Sequence, residues 1–291
     1  MNFDQNVDLA RIRRLFGTAP AGAEAPPGVS IIIPVNAQGD LENVLHVIDD
    51  IARYEGRHSL EMLLVVNNFE EGQPPAEAVA QYRDLGLRVV AVPSVRRRGE
   101  AIGFSARVLG ICEASSEQVL LFDADCRIPD ATGLIDWYME QLDQGADCAY
   151  THVAYYDYEP AWDLRLHFAL HHLARWVKRV LMRIPTTRGS NYAVRRTPML
   201  EFYDAGLLAD EMNTGPAFKR AGRRVAYSGA SRLRVYTSGR MFKRGLLRKL
   251  PYYKYRFLYN LRVLPGGPGV RERSGREKDP VRRYTDNRPH R

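Results

Sequence analysis

At 291 residues, 45% hydrophobic and 26% charged, the chain can bury a sizeable core and is neither a disordered nor a fibrous sequence. Its three cysteines, Cys112, Cys126 and Cys148, form no C-x-x-C pair and are odd in number, which argues against a disulfide framework and for reduced thiols in a cytoplasmic setting. The net charge of +8 is unevenly spread: residues 1–211 hold 20 basic against 30 acidic side chains, whereas 212–271 hold 15 basic and no acidic one, which calls for an anionic partner there.

The opening "MNFDQNVDLARIRRLF" scatters its apolar residues among charges, so a helix is expected and a secretory leader is not. No stretch approaches the roughly 20 apolar residues of a membrane-spanning helix. A Pro/Ala/Gly spacer, "GTAPAGAEAPPG", then closes an N-terminal segment over residues 1–28. Next come a strand "VSIIIPV", a helical pattern over about 41–55, a strand "EMLLVV", and a helix over about 75–86. A strand "LRVVAVP", a helix over about 100–115, and the strand "EQVLLFDAD" follow. Short apolar runs alternating with helices predict an α/β fold, Rossmann-like, with a mostly parallel sheet covered by helices on both faces. In such sheets the ligand lies beyond the carboxyl ends of the strands. Pro34, Val35 and Asn36, the pair Asn67 and Asn68, the turn Arg96 to Gly99, and Asp123 with Asp125 all follow strand ends and are expected to converge.

Farther on, "DCAYTHVAYYDYE" reads as an antiparallel segment, and residues 161–184 read as one long helix closed by Pro185. His167 and His171 stand i, i+4 on that helix, but no acidic third ligand sits at motif spacing, so they are expected as plain helix residues. "KRAGRRVAYS" predicts a helix end, a glycine turn and a strand. Residues 241–268 mix Lys and Arg with Phe, Tyr and Leu. They are expected to pack as amphipathic helices, with 241–264 turned to an anionic membrane surface; without a nucleic-acid motif, nucleic acid is not an expected partner. Residues 269–291, rich in Gly, Pro, Arg and Asp, are expected to form a flexible tail.

"VLLFDADCRIPD" poses the chemical question. Two acids separated by one residue point to the same side of a strand, and two buried carboxylates repel. A divalent cation would relieve both, although a bare D-x-D is more often an ordinary strand end. The second acidic pair, Asp210 and Glu211, and the basic turn Arg96 to Arg98 ahead of Gly99 supply the other charged groups; arginines and helix N-terminal amides both suit phosphate.

In order, "VSIIIPVNAQGDLENVLHVID", "ARVLGICEASSEQVLLFDADCRIP", "DEMNTGPAFKRAGRRVAY" and "YTSGR" resemble the segments of the family-two glycosyltransferases, nucleotide-sugar enzymes with the GT-A fold. The resemblance spans roughly residues 29–240. It implies a nucleotide-sugar-binding half over 29–130 and an acceptor-binding, catalytic half over 131–240. It implies an inverting transfer from a nucleoside diphosphate sugar, most simply a UDP-sugar, to a hydroxyl acceptor such as a lipid-linked or polysaccharide precursor, on the inner face of a membrane. Asp125, with Asp123, would hold Mn2+ or Mg2+, and Asp123 would also meet the ribose. Pro34, Val35, Asn36, Asn67, Asn68, Arg96, Arg98 and Gly99 would line the nucleotide. Arg188, Gly189, Asn191 and Arg240 would face the sugar and acceptor, and Glu211 or Asp210 would act as base. The chain departs from the family where Asn67 and Asn68 replace two Asp, where Val108 replaces Asn, and where Asp210-Glu211 reverses Glu-Asp. Those departures keep a catalytically degenerate nucleotide-binding or scaffold domain in play as an alternative, beside a nucleotidyltransferase.

Overall fold

A computed structural model gives the structure of the protein and describes residues 6–17, 27–93, 102–157, 162–208 and 211–239, together with Lys254. The first half alternates regularly: α1 (Leu9–Phe16), β1 (Val29–Asn36), α2 (Val44–Ile51), β2 (Leu60–Asn67), α3 (Ala76–Asp84), β3 (Arg88–Ala91), α4 (Ile102–Glu113) and β4 (Gln118–Phe122). The second half runs α5 (Ala131–Asp143), β5 (Cys148–Thr151), β6 (Val153–Tyr155), α6 (Trp162–Val180), β7 (Asn191–Arg195), α7 (Arg196–Asp204), α8 (Glu211–Arg220), β8 (Val225–Ser228) and β9 (Val235–Thr237).

Seven strands form one sheet in the order β3-β2-β1-β4-β7-β5-β8. Its neighbours are parallel except β7, which runs against both β4 and β5. The sheet is therefore the mostly parallel, helix-covered one that the alternation predicts. Strand side chains alternate between two packed layers. Ile31, Ile33, Leu64, Leu120 and Phe122 pack on the side of α2 and α5, while Ile32, Leu63, Leu121, Tyr192 and Val194 pack on the side of α4 and α7. Gly110 sets the spacing of the second layer, since a Cβ there would lie 2.5 Å from Ile32 Cγ2.

Three segments of the second half refine the expected pattern. Within the 147–159 segment the antiparallel reading holds for β5, which runs against β7, whereas its other neighbour β8 and the pairing of β6 with β9 are parallel. Only His152 separates β5 from β6, too little chain for a reversal, so the strand passes from one sheet to the next. Within "RGSNYAVRR", Asn191–Arg195 forms β7, buried on both faces. The long helix stops at Val180, and the chain beyond it turns through Arg183 at φ +53° before Pro185.

Two ion pairs anchor the rim. Asp50 of α2 accepts from Arg127 Nε at 2.9 Å and from Ile128 N at 2.8 Å, which pins the chain directly after the first acidic pair. Asp49 accepts from Arg11 Nη2 at 2.6 Å, and Ile12 and Phe16 enter the first layer, so α1 is part of the same core.

Candidate active site

The apolar β4 ends abruptly at Asp123. Cys126 N closes the following turn on Asp123 O at 3.1 Å, and Asp125 accepts from Thr237 Oγ1 at 2.9 Å. Arg127 and Tyr236 exchange both backbone bonds, at 2.8 and 2.9 Å, so Tyr236 and Thr237 are docked against the acidic pair.

The group that organises this rim comes from α4. Arg107 is 3% exposed; its Nη2 donates to Asp123 Oδ1 and its Nη1 to Glu211 Oε1. One guanidinium thus joins the first acid of D-x-D to the candidate base, across 104 residues of sequence. Both flanking acids stabilise the Arg107 cation against the cost of its burial. Asp123 keeps 34% of its side chain in solvent. Close packing, with the charges of Asp125, Glu211 and Asp40, pushes its carboxyl up to about 7 against the pull of Arg107.

Glu211 opens α8 with its side chain 16% exposed. A single hydroxyl sets that helix start: Thr187 Oγ1 donates to Glu211 O at 2.9 Å and accepts from Gly215 N at 3.0 Å. It precedes Pro216, which brings no backbone donor to the helix.

At Gly189 the close neighbour is Arg107. A Cβ at Gly189 would lie 2.5 Å from Arg107 Nη2 and 2.7 Å from its Cζ. Gly189→Ala is therefore expected to displace the guanidinium and to cut transfer at least tenfold while leaving the fold intact. Steady-state kinetics beside circular dichroism checks this; wild-type turnover would show that the contact is slack.

At the far end of the rim, Asn36 and Asn67 are register partners on β1 and β2. Asn36 Oδ1 accepts from Gln38 N at 3.0 Å and from Asn68 Nδ2 at 2.9 Å. Asn68 takes φ +64°, a left-handed conformation Asn tolerates. Asn67, by contrast, is buried and turns its amide onto Val65 O at 3.0 Å, and the Val35 side chain is core. Of the residues expected around the base, Asn36 and Asn68 sit together at the rim, beside half-buried Pro34.

The acceptor set separates as well. Asn191 is buried: its Nδ2 donates to Thr151 Oγ1 at 2.5 Å and its Oδ1 accepts from Tyr138. Its amide braces β7 between β5 and α5. Arg188 donates to the Tyr155 hydroxyl and meets His171. Arg96, Arg98, Gly99, Asp210 and Arg240 lie outside the described residues, as do the expected basic segment apart from Lys254 and the tail.

Ligand atoms of Asp123, Asp125 and Cys126 lie within 4.8 Å of one another. The Cys126 thiol donates to Ser190 O at 3.2 Å, and burial pushes its pKa well up, so it is held as a thiol. The remaining donors are two carboxylates, hard oxygens that suit Mg2+ or Mn2+ with further oxygens from a diphosphate. These residues fit such an ion.

Sequence reasoning passed over Arg107, Thr187 and Asp40. Arg107 did carry a signal: between Ile102 and Cys112 it is the single charged side chain of an otherwise apolar helix. A charge so placed is buried and requires a partner.

Paired acids at the carboxyl end of a parallel strand, a reversed strand beside it and a facing carboxylate at a helix start define a GT-A-type glycosyltransferase fold. The family model described as "Glycosyltransferase like family 2" matches residues 26–248, and the chain belongs to that family. Among solved structures it is similar to the mannosyltransferase PcManGT from Pyrobaculum calidifontis, in complex with GDP-Man and Mn2+, at 18% identity and a TM-score of 0.52. That match covers 87% of this chain and 68% of the other. TarS 1-349 from S. aureus, in complex with UDP-GlcNAc, matches at 14% identity and a TM-score of 0.49, over 72% of this chain and 58% of that one. GalNAc-T7 with UDP, GalNAc and Mn2+ matches at 15% and 0.49, over 73% and 43%. Comparison with curated protein sequences finds no significant match.

Proposed function

We propose that the chain transfers a sugar, with inversion, from a nucleoside diphosphate sugar to a hydroxyl acceptor. The observation that carries this reading is the Arg107 bridge, which holds the donor-side acid Asp123 and the acceptor-side acid Glu211 in one constellation. Asn36 and Asn68 would meet the nucleoside, with Arg96, Arg98 and Gly99 at the phosphates, and Asp123 and Asp125 would hold the divalent cation. When bound, that cation neutralises charge on the departing diphosphate. Glu211 takes the proton of the acceptor hydroxyl as its oxygen attacks the anomeric carbon. The bond from that carbon to the diphosphate oxygen breaks with its electron pair on the oxygen. Arg107 fixes the Glu211 carboxylate by one nitrogen while holding Asp123 by the other, so base and donor site keep a set separation. Thr187 keeps the helix bearing Glu211 in register.

UDP-sugars are the first donors to test, with GDP-mannose beside them because PcManGT is complexed with GDP-Man and Mn2+. A panel of UDP-, GDP-, dTDP- and CDP-sugars with Mn2+ should give turnover with one base; binding without turnover would sink the enzyme reading. Within the active pair, Asp125→Asn is expected to raise the Mn2+ concentration for half-maximal rate at least tenfold, since it removes one of two hard donors. An unchanged Mn2+ titration would remove Asp125 from the ligand set.

A further inference from the structure

A second cluster of charge lies beside Arg188, the sequence neighbour of Gly189. Arg175 of α6 is 9% exposed, and its Nη2 reaches Thr186 O at 3.5 Å. Its Nε and Nη1 are buried with no hydrogen-bond partner among the described residues, and the same holds for His172 Nε2 and Arg234 Nε. The His172 ring stacks on His152 at 5.3 Å. Around them, Arg188 repels Arg175, and Arg179 lies over the Tyr227 ring at 4.1 Å. Burial and this company of cations push Arg175 down to about 9, and His152 and His172 down to about 4.

Orphaned polar atoms on guanidinium and imidazole groups from α6 and the approach to β9 converge beside His152 of the β5–β6 junction. A buried cation without a counter-charge is costly, and such a set persists where an anion completes it. We propose that this cluster binds a phosphoryl group of the acceptor, where the word acceptor rests on the transfer reaction above. A tetrahedral oxyanion presents several oxygens to donors arriving from different directions, and the arginine fork meets two of them at once. The placement favours the acceptor over the donor: Arg188 lies against Tyr155 and His171, its neighbour Gly189 packs on Arg107, and the nucleoside end stands across β4 and β7. The outer face of α6 adds Leu170, Leu173, Trp176 and Val180, all exposed, which suits an amphiphile as the carrier of that group.

The test needs no donor sugar. Inorganic phosphate and octyl phosphate, titrated at fixed ionic strength against the full chain, are expected to raise its Tm and to leave Arg175→Met unmoved. Ligand-free Arg175→Met should also melt above wild type, because an unpaired charge has been removed. Arg234→Met, which takes away a less buried donor, should weaken phosphate binding about tenfold and serves if the first variant fails to fold. A tenfold preference for octyl phosphate supports a lipid-borne group and an equal response a soluble phosphorylated acceptor; either upholds the site. No shift in wild type, or equal shifts in wild type and Arg175→Met, overturns it. Intact sugar transfer without a phosphate response sinks this site alone, while a phosphate response without transfer sinks the reaction and spares the site.

Discussion

Glu211→Gln is expected to lower the turnover number by about a hundred- to ten-thousand-fold, the range a positioned general base supplies, with little change in donor affinity. The amide keeps nearly the size of the carboxylate and an oxygen for Arg107, so the bridge survives in weakened form while the proton acceptor is gone. Loss of kcat with a steady donor KM is thus the signature of the base, whereas a rise in KM alone would describe a binding residue. Asp210→Asn is the companion experiment, since the acidic pair holds two candidates and Asp210 lies outside the described residues. A large loss in that variant with wild-type transfer by Glu211→Gln would move the role one residue upstream. Near wild-type transfer in both would end the assignment of a base to this pair.

The second large effect belongs to Arg107. Arg107→Met leaves two acids facing each other at the rim, one mostly buried, with no cation between them. Breaking a buried pair by removing one partner costs about 3–5 kcal/mol, so a clear fall in Tm is expected along with loss of transfer. Arg107→Lys separates the two consequences. Its ammonium restores a positive charge and much of the stability, but a single nitrogen cannot donate in parallel to Asp123 and Glu211 as the fork does. Recovered Tm with activity still down by at least tenfold would identify the geometry of the fork as the requirement. Full activity in the lysine variant would reduce Arg107 to a counter-charge.

Much of the donor half was legible because its periodicities are strong. Runs such as "SIII" and "VLLF", bounded by turns, can be covered only inside a parallel sheet, and the acids after them stand at its edge whatever the details. The second half was harder to read. β5 and β6 form one apolar run, so nothing local says that the strand changes sheet at His152. β7 follows a Gly-Ser pair and carries only five residues, a signal shared by many loops. At the site, residue types did not reveal direction. Asn191 and Asn67 look like ligands for a sugar or a base, yet each has its amide engaged inside the protein, and burial of this kind depends on contacts from distant segments. Arg107 is the converse, quoted only as part of a motif although its isolation in an apolar helix already required a partner.

The reversed direction of β7 has a consequence for how such a protein can diversify. Since Asn191 stands opposite Phe122, β7 begins where β4 ends, and the chain just before it opens onto the rim that the chain just after β4 also reaches. In the proposed transfer, donor and recipient would thereby be read by separate stretches hung from adjacent staves. The stretch between Thr151 and Pro185 can be lengthened or rewritten while Thr187 and Gly189, which hold α8 and Arg107, and the neighbouring stave stay as they are.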